Sequence, residues 1–82
     1  MEYRIGQVVR SKAGRDNGKA FIVVATEENY VYVADGATRK LESPKKKKLR
    51  HIQGSYNVSE EIAAYIESGT AENYMLRRFL NS

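Results

Sequence analysis

The sequence predicts a mainly β chain: a small barrel of about five short strands, followed by one or two short C-terminal α-helices. Three observations predict this. Short runs rich in β-branched and aromatic residues recur through the first two-thirds of the chain, separated by glycine, Asp-Gly and proline signals. From Asn57 the apolar spacing changes to the i, i+3, i+4 pattern of an amphipathic helix. The charge changes in the same place. Residues 1–58 carry twelve Lys/Arg and six Asp/Glu, a net +6, whereas residues 59–82 carry two Arg and four Glu, a net −2.

Val8 and Val9, after Gly6, read as the first strand. Ala20 to Ala25 (Ala-Phe-Ile-Val-Val-Ala) is continuously apolar and too short for a helix, which favours a central buried strand. Glu27-Glu28-Asn29 supplies a polar turn. Tyr30 to Ala34 follows as a third strand, with Val31 and Val33 on one face and Tyr30 and Tyr32 on the other. Asp35-Gly36 is a hairpin signal, so Ala37 to Glu42 is expected to return as a fourth strand with Leu41 inward. Pro44 ends it. After the lysine run, Leu49 to Ile52 alternates and reads as a fifth strand. The strand count and length fit an SH3-like barrel.

In the tail, Ser59 is an expected N-cap, with Glu60 and Glu61 in the first helical turn. Ile62, Tyr65 and Ile66 make one apolar stripe. Gly69 is expected just past the helix end, with Thr70 capping a second helix that carries Leu76, Phe79 and Leu80. The expected division is residues 1–55 for the barrel and 56–82 for the helical tail. The tail either packs on the barrel or offers an apolar, acidic surface to a ribosomal or other protein partner.

The chain has 82 residues and no cysteine, so one domain is expected, without disulfides or thiolate metal sites. Neither a secretory leader nor a membrane-spanning run is recognisable, and a cytoplasmic, non-membrane protein is expected. His51 is the only histidine. No nucleophile set, paired carboxylates or metal-ligand spacing is recognisable, so no cofactor and no catalysis are expected.

Between the first two strands lies Ala13-Gly14-Arg15-Asp16-Asn17-Gly18-Lys19. This strand–loop–strand resembles the KOW motif of ribosomal proteins and NusG-type transcription factors, with Gly18 aligned to the family's hallmark glycine. The wider likeness, to small bacterial KOW-domain RNA-binding proteins, rests on Val8 to Asp16, Tyr32-Val33-Ala34-Asp35-Gly36 and Pro44-Lys45-Lys46-Lys47-Lys48. It covers roughly residues 4–53. The resemblance implies an SH3-like barrel whose loops bind RNA, ribosomal RNA first. Large-subunit ribosomal proteins of this kind usually carry long basic extensions. The short acidic tail here points instead to a peripheral or transient association.

Two basic elements are the candidate RNA-binding sites. One is Arg10, Lys12, Arg15 and Lys19, with Asn17, on a loop whose glycines, Gly14 and Gly18, keep side-chain bulk away. The other places seven cations between residues 39 and 50: Arg39, Lys40, Lys45, Lys46, Lys47, Lys48 and Arg50, with Glu42 the only acid. Like charges packed this densely call for phosphates, although a solvated surface loop is the plainer alternative. His51 adjoins the second element and is a further candidate phosphate or base contact. Tyr30 and Tyr32 either stack on bases or cover the second side of the barrel. The functional expectation is a non-catalytic RNA-binding module. The alternative is a protein-interaction module of the transcription-elongation or SH3-like adaptor type.

Overall fold

The computed structural model describes residues 2–81. Five strands form one antiparallel sheet: β1 (Gln7–Ser11), β2 (Ala20–Thr26), β3 (Tyr30–Ala34), β4 (Lys45–Lys48) and β5 (Ile52–Val58). Two helices follow, α1 (Glu60–Ser68) and α2 (Asn73–Leu80). The strand order is β4-β3-β2-β1-β5, so β4 and β5 are the sheet's edges. The sheet curls: Lys47 of β4 donates from Nζ to Ser11 Oγ of β1 at 3.1 Å, across two intervening strands. A 3-10 turn, Leu49–His51, joins β4 to β5, and no ladder zips the two edges together. The architecture is therefore an open, SH3-like five-stranded barrel with two C-terminal helices.

Side-chain alternation sorts the strands' apolar residues onto two faces. Val9, Phe21, Val23, Val31, Val33 and Ile52 fill the concave side. Ile22 and Ala34 point the other way and pack against Ile62 of α1 and Leu76 of α2. Both faces of β2 are thus covered, which explains why its sequence is continuously apolar rather than alternating. Leu76 is fully buried, so the helices belong to the core of the domain.

Two glycines allow that docking. The Gly6 (φ +91°) carbonyl accepts the Ser59 amide at 2.9 Å, and a Cβ there would lie 2.6 Å from the Ser59 carbonyl oxygen. Gly36 (φ +79°) approaches α2 as closely: a Cβ would overlap the Asn73 carbonyl, and Arg77 Nη1 donates to the Gly36 oxygen at 2.6 Å. Any side chain at either position would push a helix off the sheet while adopting a strained backbone. Ser59 caps α1 by accepting the Ile62 amide at 3.1 Å, and Gly69 ends it in the left-handed conformation.

Four expectations are corrected. Ala37 to Glu42 is not a strand. The Asp35 carboxylate accepts the Ala37 and Arg39 amides and the Thr38 hydroxyl at 2.8–2.9 Å, and these local bonds displace a ladder. Leu41 nonetheless packs on the helix-facing cluster. The fourth strand is the lysine run itself, paired residue for residue with β3 from Val33↔Lys45 to Tyr30↔Lys48. The fifth strand starts at Ile52, because Leu49 to His51 is the 3-10 turn, and it runs to Val58, past residue 55. Thr70 does not cap α2. Its amide closes α1 on the Tyr65 carbonyl at 2.9 Å, and Asn73 opens α2 while its side chain accepts the Leu41 amide at 2.8 Å.

Candidate nucleic-acid interface

The β1–β2 loop is tied to itself by backbone bonds: Gly18 to Ser11 at 2.8 Å, Ser11 to Lys19 at 3.0 Å and Lys19 to Asp16 at 2.9 Å. A 3-10 turn, Gly14–Asp16, forms its tip. Arg10, Lys12, Gly14, Arg15, Asn17, Gly18 and Lys19 are all exposed. Arg10 lies along the loop, with Nη1 donating to the Gly18 carbonyl at 2.8 Å. Beyond Gly14 and Gly18 there is open space for 4 Å from a Cβ position, so this side of the loop is clear for a large partner.

Asp16 does the opposite of its neighbours. It turns inward and is buried, with Lys47 Nζ 3.4 Å and an Arg39 guanidinium nitrogen 3.7 Å from its Oδ2. One carboxylate thereby gathers the β1–β2 loop, the β3–β4 connection and β4. Lys47 also donates to Ser11 Oγ, and among the described residues no fully buried side-chain nitrogen or oxygen lacks a hydrogen-bond partner. A buried ion pair is costly to leave half-made.

The lysine run is consequently not uniform. Its strand period sends Lys47 into the barrel, 9% exposed at the side chain, while Lys46 and Lys48 point out with Tyr32 and Tyr30. Lys45 is half-buried, and Arg39 is half-buried against Asp16. Lys47 and Arg39 are therefore structural partners of Asp16. Lys40, Lys46, Lys48 and Arg50 remain exposed. His51 is half-buried; its carbonyl accepts the Lys12 amide at 2.7 Å, which brings the 3-10 turn alongside the β1–β2 loop.

On the outer face, Lys46 Nζ lies 4.3 Å from the Tyr30 ring centroid and 5.8 Å from that of Tyr32. Glu27 completes the group, as hydrogen-bond acceptor for the Tyr32 hydroxyl and as a 4.0 Å partner of Lys46. The hydrogen bond to Glu27 holds the Tyr32 phenol protonated above its ordinary range. The helices do not cover these rings; the apolar side chains of α1 and α2 collect around Ile22 and Ala34 instead. Asp35 belongs to the architecture. Partial burial pushes its pKa up, but the Arg39 and Ala37 amides and the Thr38 hydroxyl outweigh that and hold it below the ordinary carboxylate range.

The sequence names Tyr30 and Tyr32 apart from the basic clusters, as residues that either stack on bases or cover the barrel, and it does not show the inward role of Asp16. The signal for Asp16 was the period of the lysine run: read as a strand, it puts one lysine under the sheet in need of an acid. Among the described residues, no group of three His, Cys, Asp or Glu side chains is placed to hold a metal ion, and no helix is long and apolar enough to cross a membrane. No family model matches this chain, and no curated protein matches it as a relative.

Proposed function

We propose that the protein is a non-catalytic, cytoplasmic RNA-binding module, a KOW-type barrel that contacts ribosomal RNA or the ribosome through its basic loops. One observation carries the reading. The β1–β2 loop holds Lys12, Arg15 and Lys19 outward and Arg10 of β1 lies along it, while the loop's only acid is withdrawn beneath it. The outward field is purely cationic on a loop whose backbone is fixed by its own hydrogen bonds. Phosphates release counterions when they meet such a surface, which supplies affinity without reading sequence.

Sedimentation of a tagged copy through a density gradient tests the ribosomal assignment. Co-migration with the large subunit, lost as salt rises, is expected. At about six phosphate contacts, affinity for the RNA falls roughly a thousandfold between 50 and 200 mM salt. Binding that ignores salt would remove the electrostatic basis of the reading.

A groove of about 420 Å³ between the helices, lined in part by Ile62, Tyr65, Tyr74 and Met75, favours a second reading as a protein-interaction module. Neutralising Lys12, Arg15 and Lys19 distinguishes the two: it abolishes RNA binding under the first and spares a protein partner under the second.

A further inference from the structure

We propose that the outer face of β3 and β4 is a site for unpaired RNA nucleotides, with Tyr30 as the stacking platform and Lys46, Lys48 and Arg50 as backbone contacts. The inference rests on the RNA-binding reading and names the form of RNA that this second surface takes.

Three observations converge on it. The register places Tyr30 opposite Lys48 and Tyr32 opposite Lys46, so rings and ammonium groups alternate across two adjacent strands. Beside Tyr30 lies a groove of about 340 Å³, lined by Asn29, Tyr30, Lys48, Leu49 and Arg50. That is the small end of the range for ligand sites. Its chemistry complements a nucleotide: an aromatic wall, a side-chain amide and two cations. No residue of either helix is among those lining this groove.

Unpaired nucleotides fit and a duplex does not. The flat faces of bases in a duplex are sealed within the stack, whereas a ring lying on a strand surface can only meet a base that has left it. Single-strand binders combine aromatic platforms with a cationic track in this way. Lys46 is already held as a cation over both rings. Its other partner is Glu27 at 4.0 Å, with both side chains about half exposed, and an exposed pair of that kind is weak enough for a phosphate to replace. Glu27 opposes the ligand, since it brings negative charge to the site.

Cross-strand Tyr–Lys pairs also stabilise sheets without any ligand, and the experiment separates the two roles. A labelled, unstructured oligoribonucleotide and an RNA duplex with the same number of phosphates are titrated with the full chain by fluorescence anisotropy. The single strand is expected to bind more tightly, and binding should quench tyrosine emission. Tyr30→Leu keeps the apolar bulk and is expected to weaken the single strand roughly tenfold or more, leaving duplex binding unchanged. Glu27→Gln, which removes a competing charge at an exposed position, is expected to tighten the single strand, so the test does not depend on one variant folding. Equal binding of both RNAs, with Tyr30→Leu and Glu27→Gln without effect, overturns the stacking site and leaves the basic-loop reading standing. Failure of both RNAs to bind overturns both.

Discussion

β4 and β5 close the two edges of one sheet with opposite chemistry. β4 is four lysines; β5, Ile-Gln-Gly-Ser-Tyr-Asn-Val, carries no charge at all. An unpaired strand edge invites pairing with another chain, and each edge resists it differently. On β4 the resistance is charge, with Lys46 and Lys48 outward. On β5 it is shape. Between Gln7↔Val58 and Val9↔Gly54 the register slips, and Ser55 to Asn57 bulge away from the ladder. Ser55 Oγ donates to the Val8 carbonyl at 2.7 Å, the Gln7 side chain donates to the Ser55 carbonyl at 2.9 Å, and Tyr56 is left 97% exposed at the crest. The charged edge also does a second task that the neutral one does not: every other lysine is available to the barrel's interior, and Lys47 takes that role.

The contrast breaks most visibly at Asp16. Asp16→Ala leaves Lys47 buried without its carboxylate and is expected to cost about 3–5 kcal/mol, whereas Lys46→Ala, one residue away on the same strand, is expected to stay within about 0.5 kcal/mol. Urea midpoints check this, and equal midpoints would remove the division of the run into structural and surface lysines. On the other edge, Ser55→Ala should cost about 1 kcal/mol, because the bulge loses its brace to Val8.

The connection into β4 gives a pH signature. The folded pKa of Asp35 is depressed, so its contribution is fully present above the unfolded value of about 3.9 and is lost as pH falls through the folded value. Thermal melts from pH 6 downward should show this acid-dependent loss, and Asp35→Ala should flatten it. A variant that retains the full slope would assign the loss to other carboxylates.

Lys46→Gln with Lys48→Gln should leave stability within about 0.5 kcal/mol and lower the salt slope of RNA binding by about two, one for each phosphate contact. The same pair of changes should make the edge associate at high concentration, as read by size exclusion. Lys47→Gln should show the reverse pattern, lowering stability with no change of slope. Smallest of all, Tyr56→Ser should move the urea midpoint by less than the equivalent of about 0.5 kcal/mol, since the ring buries almost nothing.

Local chemistry by itself determined a good part of this molecule. The first three strands are where β-branched runs put them, because burial of Phe21, Ile22, Val23, Val31 and Val33 follows from their own spacing. Ser59 and Gly69 bound α1 as their capping preferences require, and Arg10, Lys12, Arg15 and Lys19 were legible as an outward basic loop because exposed cations on a glycine-bearing turn need no partner to be recognised. Tertiary structure decided the rest. Lysines have little intrinsic preference for a strand, so the run becomes β4 only because β3 offers a ladder and Asp16 lies beneath it. Ala37 to Glu42 has the better strand composition and yields to three short-range bonds to Asp35. Gly6 and Gly36 look like ordinary turn residues until the helices arrive within contact of them. In each case the deciding partner is distant in sequence or is a hydrogen bond that competes with the ladder, and neither leaves a mark on the periodicity of the chain.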